Sequence, residues 1–495
     1  MRGFRKRDRR HQKRLTDTIS SMNIIKKLFL FFAAVCLCAV ASGGPTLLTQ
    51  KMLDQAGSTF VVKKNYTANG AKLHLANKQN LEFAGGSIDD AELVGNHSTV
   101  KVSGKNPVFG KKVIISGVWD VKEAHDGWFA FEEGKGFLSN QLIKNMLAFS
   151  NDNTFCHLLF EENRVYYFEL PYKGTTKLGD EFTYHINKKG KKVRHYGEVY
   201  DGKYSFLRIF TIPSNTKVTI HNTMQMLPTN QGAYFVFWEY GKQNVTIEGT
   251  GTIAGDNKEH LYNLPFAGSK YFGEWGFIFC CFRCKNFVFR GVTLRDAFGD
   301  CLYFVGSYIR SNETAPRYAD GLMMDKVKIL GARRNGVSLG ARNVTIKNCH
   351  FEGCGVKAAH GTPPRSAIDF EADGVKKYPE IGNQNVVMEK CTFKNNYYDV
   401  ASYRNNLESY GKLATTIKNC QFTAPLKIQG TYWMRFENCY IPFVWNSKDD
   451  RSVLLYSKHM EFINCEFGQL DTTVLGMATL CYNKYSHCKY NTKKK

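Results

Sequence analysis

Apolar and polar positions alternate in short runs through the second half of the chain, and the runs end in a recurring phrase. Val344-Thr345-Ile346-Lys347 leads into Asn348-Cys349-His350-Phe351, and Val386-Val387-Met388-Glu389 into Lys390-Cys391-Thr392-Phe393. The arrangement returns at residues 416–422, 434–441 and 460–467, each time as Asn or a stand-in, Cys, one further residue and an aromatic or aliphatic one. A period of two sends one set of side chains into a core and the other outward, as in strands. The cysteines recur at intervals of 19 to 42 residues. That is too irregular for a rigid helical array, but it fits a solenoid whose coils repeat their strands with loops of any length between them. Looser versions stand at residues 244–253, 286–294 and 326–331. The expected fold is all-β, a right-handed parallel β-helix. A sandwich of short strands is the alternative, but sandwiches do not repeat a residue phrase in register.

One segment breaks the strand pattern. Leu142, Ile143, Met146, Leu147 and Phe149 recur at near-helical spacing, which predicts a short N-terminal capping helix over residues 138–149. An open solenoid end exposes strand edges and core, and an amphipathic helix can cover it. The expected organisation is an upstream extension (1–21), a signal peptide (22–41) and a strand-rich region with the cap (42–203). The β-helix proper (204–475) and a basic tail (476–495) follow. The polar, Lys- and Gly-rich stretch 173–203 reads as a surface excursion.

Residues 22–41 carry Lys26 and Lys27, an apolar stretch from Leu28 to Val40, and the small residues Ala39-Val40-Ala41. This is the pattern of a secretory signal and is too short to span a membrane. Met22 is then the better start, and a nucleic-acid-binding arm is the competing reading of residues 1–21. No later stretch is long and apolar enough to span. Formal net charge is +23; the first 21 residues hold +6 and Lys26 and Lys27 two more, which leaves about +15 on the exported chain. A basic secreted surface favours polyanions such as uronate-bearing or sulfated glycans, and the compartment argues against nucleic acid. Thirteen of the 15 cysteines lie beyond the signal, an odd number. Five of them (Cys349, Cys391, Cys420, Cys439 and Cys465) hold one place in successive coils, which suits a stack of small buried side chains better than disulfides or metal. Cys281 and Cys284 form a C-x-x-C with no second pair for zinc, and Cys481 with Cys488 could close a terminal loop.

Four phrases contain residue types a bare solenoid does not need. In Ser366-Ala367-Ile368-Asp369-Phe370-Glu371, alternation sends Ile368 and Phe370 one way and Asp369 and Glu371 the other. Two carboxylates two residues apart on a strand lie roughly 6.5–7 Å apart at the backbone. Inverting glycosidases use about that separation, one acid protonating the leaving oxygen and the other activating water. A solvated strand face or a cation site is the plainer explanation. Arg333-Arg334-Asn335-Gly336 offers cations to neutralise that pair or to hold a uronate, with a structural ion pair as the alternative. Gly299-Asp300-Cys301 supplies a third acid. Gly273-Glu274-Trp275-Gly276 puts an acid beside a ring that could stack on a sugar or simply pack. His360, in a loop before the carboxylate pair, is a candidate base or a bystander.

Residues 249–255 resemble the G-x-G-x-I-x-G segment of polygalacturonase-like proteins. With Glu274-Trp275-Gly276, Gly299-Asp300-Cys301, Arg333–Gly336 and Ile368–Glu371, the chain resembles the secreted right-handed β-helix proteins of the pectin-lyase-like superfamily, in particular a gut-bacterial and phage-tail-like group. The resemblance implies polysaccharide cleavage by hydrolysis or elimination. The N-T-D, D-D, G-H-G and R-I-K motifs of polygalacturonases are not intact here. Three readings therefore stand. The first is a glycoside hydrolase using Asp369 and Glu371 with Asp300. The second is a lyase using Arg333, Arg334 and His360, with Ca²⁺ held by Asp300, Asp369 and Glu371. The third is a glycan-binding β-helix without catalysis. No cofactor is firmly implied outside the lyase reading.

Overall fold

The computed structural model describes residues 44–104, 106–161, 163–170, 182–186, 192–196, 198–200, 204–229, 234–261, 275–307, 316–356, 362–372, 374–442, 457–468 and 482–490. The expected extension and signal peptide, Glu274, His360 and Cys481 lie outside the described residues.

Through the main stack the coils lay their strands on three faces. The first face includes Thr216–Ile220, Gln243–Gly249, Lys285–Arg290, Ala319–Asp325, Gln384–Glu389, Thr415–Lys418 and Met434–Glu437. The second includes Thr223–Met226, Thr252–Ala254, Thr293–Arg295, Lys328–Leu330, His350–Glu352 and Thr392–Lys394. The third includes Tyr234–Tyr240, Phe277–Phe282, Leu302–Val305, Ser366–Glu371 and Tyr398–Tyr403. Val337–Lys347 turns the corner, its first residues pairing on the third face and its last on the first. Neighbours on every face pair in parallel, and crossover connections between parallel strands are right-handed in nearly all folds. The fold is a right-handed parallel β-helix, as the repeating phrase predicts.

Parallel pairing also runs outside 204–475. It joins Tyr66–His74, Ile88–Ser98 and Ile114–Trp119 upstream, and Lys484–Ser486 downstream. The polar stretch before residue 204, which suggested a boundary, is an insertion between Val165–Phe168 on the second face and Tyr204–Phe210 on the third, with its own antiparallel hairpin of Phe182–Ile186 and Lys192–Tyr196. The expected helix forms at Asn140–Ala148. It occupies the place of a third-face strand, and Phe149 just beyond it packs on Phe109, Trp119 and Phe129. Its Asn145 donates to Val113 O and accepts from Ile115 N. The helix thus seals the junction between the upstream coils and the main stack.

Stacking in register puts each side chain over its counterpart. One core column runs Ile247, Phe289, Met324, Ile346, Met388, Ile417, Phe436, Phe462, all buried. The corners explain the rest of the phrase. Asn348, Asn419, Asn438 and Asn464 have φ near +50°, as do Lys390 and His487 at the same place. Asn tolerates that left-handed conformation better than most residues. Asn438 also donates its side-chain amide to Asn419 at 3.1 Å, and Asn464 to Asn438 at 3.2 Å. A second ladder climbs the other corner through Asn215, Asn244 and Asn286. The phrase cysteines are buried free thiols, as expected of a stack.

The outward column of the first face alternates in sign: Glu248, Arg290, Asp325, Lys347, Glu389, Lys418, Glu437. Each exposed pair contributes little alone, but a slip of register would part these pairs and, by one residue, turn the charges toward the core. Glu389→Lys sets three lysines in a row and is expected to destabilise by about 1–2 kcal/mol, from two like-charge contacts in place of two opposite ones. Chemical unfolding in low and high salt checks this: the loss should shrink as salt screens the column, and a salt-independent loss would contradict it.

Glu239 is a buried acid on the third face. One oxygen accepts from Ile212 N at 2.9 Å, and the other has no hydrogen-bond partner among the described residues. Burial pushes its carboxyl well above the usual range, against the pull of the Ile212 amide. A carboxyl raised in the folded state keeps its proton longer than in the unfolded chain. Its stabilising effect is therefore complete below the ordinary value of 4.5 and is lost as pH rises from there toward the folded-state value. Glu239→Gln is expected to remove that loss, so that the variant gains on the wild type with rising pH. Unfolding midpoints taken across acid to mildly alkaline pH would reject this if the two curves ran parallel.

Candidate functional site

The third face gathers the acids because register brings three coils together. Tyr303 pairs with Ser338, and Ser338 with Asp369. These three project from the solenoid, because Leu302, Phe304, Ile368 and Phe370 between them fill the core. Asp300 and Asn335 sit in the loops that enter the same strands. Both loops carry a glycine for want of room: a Cβ on Gly299 would fall 2.7 Å from Trp275 O, and one on Gly336 2.4 Å from Ala367 O. This accounts for the Gly in Gly299-Asp300-Cys301 and in Arg333-Arg334-Asn335-Gly336.

Asp300 is 0% exposed. Its Oδ2 accepts from Arg334 Nη1 at 2.7 Å and from Ser338 Oγ at 2.7 Å, and its Oδ1 from Asn335 N at 3.1 Å. Burial nevertheless pushes its carboxyl above the usual value, and the Arg334 charge only partly offsets this. Asn335 links the coils. Its Nδ2 donates to Ser338 Oγ at 2.9 Å and reaches Asp369 Oδ2 at 3.4 Å, while its Oδ1 accepts from Ser366 N at 3.0 Å. Asp369 is 1% exposed, whereas Glu371 is half-buried and the more accessible of the pair. Burial alone would lower the Arg334 pKa, but the carboxylates of Asp300, Asp369 and Glu371 together raise it. One guanidinium thus stands among three acids.

Trp275 is half-buried with its ring 5.5 Å from Phe277, which stacks on Tyr303 at 5.0 Å. It belongs to an aromatic cluster with Phe235, Trp238 and Phe282 on the same face as the carboxylates. Arg333 goes elsewhere. It is 1% exposed, its Nε donates to Phe298 O, and its guanidinium lies 4.1 Å from the Phe298 ring. His260 stacks on that ring at 3.8 Å, and Asp256 joins His260 to Tyr234. The structure therefore brings together Asp300, Arg334, Asp369 and Glu371, with Trp275 nearby, and separates Arg333 from them. Asn335 and Ser338 are the participants that residue types alone did not single out. Their signal was positional, since Ser338 shares a column with Asp369.

Ca²⁺ does not fit this arrangement. Both Asp300 oxygens are already engaged by donors, and Arg334 fills the charge position a cation would take. Among the described residues no group of three or more His, Cys, Asp or Glu is arranged to hold a metal ion.

No family model matches the chain, and no curated protein matches it. Solved structures do. An exopolygalacturonase from Thermotoga maritima matches over 70% of this chain and 74% of its own, at 10% identity and a TM-score of 0.39. The catalytic domain of a GH87 alpha-1,3-glucanase, in complex with nigerose, matches over 92% and 67%, at 11% identity and 0.38. A tailspike protein of an E. coli bacteriophage, in complex with a pentasaccharide, matches over 91% and 71%, at 11% identity and 0.29. At these identities and scores the likenesses say nothing of this chain's chemistry.

Removing one partner of a buried ion pair leaves the other uncompensated, which costs roughly 3–5 kcal/mol. Arg334→Met is expected to destabilise by about that much, because Asp300, Asp369 and Glu371 lose the cation they share. The double variant Arg334→Met with Asp300→Asn is expected to be more stable than that single one, because the wholly enclosed member of the three no longer carries a charge. Denaturant midpoints of the three proteins test this, and a double variant worse than Arg334→Met would rule it out.

Proposed function

We propose that this protein is an exported carbohydrate-active enzyme that hydrolyses glycosidic bonds of a polysaccharide, with Asp369 and Glu371 as the working pair. The observation that carries the reading is the convergence of three acids around Arg334 on the outer side of one face, beside an aromatic cluster. A sugar ring stacks on aromatic faces, and glycoside hydrolysis needs two carboxyl groups in different protonation states. Asp369 and Glu371 supply two such environments, one covered and one reaching solvent. In the proposed reaction one carboxylic acid gives its proton to the leaving glycosidic oxygen and the other takes a proton from water. Asp300, enclosed by Arg334, Ser338 and Asn335, supports the pair and does not touch substrate.

Hydrolysis is favoured over elimination for an electrostatic reason. Elimination requires a cation to neutralise the uronate, but Arg334 already answers three carboxylates and Arg333 is turned into the Phe298 cluster. The basic surface still favours an acidic glycan as the bulk partner, and export follows from the segment at residues 22–41. No helix among the described residues is long and apolar enough to cross a membrane.

The test is the exported chain on a panel of acidic and neutral polysaccharides, following reducing ends and unsaturated-uronate absorbance together. Reducing ends without the ultraviolet signal are expected. Asp369→Asn and Glu371→Gln should each lower turnover on the order of 10²–10⁴-fold, the usual contribution of a general acid or base, while circular dichroism stays unchanged. The ultraviolet signal would make the protein a lyase, and binding without cleavage would make it a glycan-binding module.

A further inference from the structure

Six cysteines stand one above another at the corner between the first and second faces: Cys349, Cys391, Cys420, Cys439, Cys465 and Cys488. The last two are in register. Ile463 pairs with Ser486 and Glu466 with Lys489, both in parallel, which sets Cys465 opposite Cys488 between them. Lys489 N also donates to Cys465 O at 2.9 Å. Residues in register on adjacent strands lie about 4.8 Å apart at Cα, inside the window of roughly 4.4–6.8 Å that a disulfide requires. Each sulfur instead lies within hydrogen-bond reach of two backbone carbonyls, Cys465 of Ile463 O and Phe436 O, both at 3.5 Å, and Cys488 of Ser486 O at 3.5 Å and Phe462 O at 3.4 Å. Cys465 also interacts with the Cys439 sulfur, and Cys488 with the Tyr490 hydroxyl, but thiols make only weak hydrogen bonds, which exchange into a disulfide can replace.

Access separates the rungs. The first five cysteines are buried and Cys488 is half-exposed. An oxidant reaches this ladder from one end, and the first pair it can close is the terminal one. We propose that Cys465 and Cys488 form a disulfide-forming modification site that staples the last described coil to the coil before it. The co-reactant is a small-molecule disulfide such as oxidised glutathione. The Cys488 thiolate attacks one of its sulfurs and expels a glutathione thiolate; the Cys465 sulfur, its proton released, attacks Sγ of Cys488 and expels the second. Two protein thiols are oxidised to one disulfide, one glutathione disulfide is reduced to two thiols, and the two protons end on those thiols. Burial holds the Cys488 thiol above its ordinary value, so the exchange is slow near neutral pH and quickens as pH rises.

The experiment incubates the whole purified chain with oxidised glutathione at about pH 8.5, where an ordinary thiol is half ionised. Remaining thiols are then alkylated, and peptides are mapped by mass spectrometry without reduction. A peptide linking Cys465 to Cys488 is expected in the wild type and in Cys439→Ser, and none in Cys488→Ser. Cys488 found only as its glutathione adduct, joined to Cys481 or unreacted would overturn the proposal. The wild-type map decides it even where a variant fails to fold.

Discussion

In-register stacking of one coil on the next, at the parallel strand spacing of about 4.8 Å, is the constraint on which everything else depends. It obliges each residue type to tolerate its own position repeated. Apolar residues do so at once, and the column from Ile247 to Phe462 is a continuous core. Amides do so when the side chain of one donates to the next, as from Asn464 to Asn438 to Asn419. Charges do so only by alternating, as from Glu248 to Glu437. The fold is held less by any one contact than by the agreement of these columns on a single register.

The same constraint makes a cluster of acids difficult, and the third face shows how the difficulty is met. Asp300 and Asp369 come from the rungs on either side of the Asn335–Ser338 coil, close enough in a low-dielectric setting for like charges to repel. Asn335 lies between them, giving its backbone N–H to Asp300 and turning its side-chain amide toward Asp369. Ser338 passes a hydrogen bond on to Asp300, and Arg334 adds the charge. The acids are thus separated by neutral donors within the column and balanced by a cation beside it.

Much of this was legible in the sequence because a solenoid writes its register into spacing. The Asn-Cys phrase marked the corners, and alternation correctly sent Asp369 and Glu371 away from Ile368 and Phe370. What alternation does not encode is what lies over the outer face. Asp369 and Glu371 share a face yet differ in exposure, and Asp300 is wholly enclosed; both depend on loops from other coils. Arg333 and Arg334 looked equivalent as neighbours in a loop, where no period assigns direction. One turns to Phe298 and the other to Asp300, and only the packing of Phe298 with His260 decides between them. The upstream coils were obscured for the opposite reason: a long polar insertion interrupts a single coil, and composition mistook it for a boundary.

The energetics of Asp300 bear on why such a cluster exists. Taking a carboxylate out of water costs several kcal/mol even after relaxation. Arg334, Ser338 and the Asn335 amide recover only part of this, as the upward pull on its proton affinity shows. Apolar residues in place of the whole group of acids and Arg334 would remove that penalty, and replacing buried ion pairs or triads in this way is often neutral or stabilising. The core columns supply stability without any help from these acids. A solenoid that is sound elsewhere yet keeps an expensive charged network on one patch of one face has placed its local conflict where function is expected to lie. That ground is independent of any likeness to other proteins.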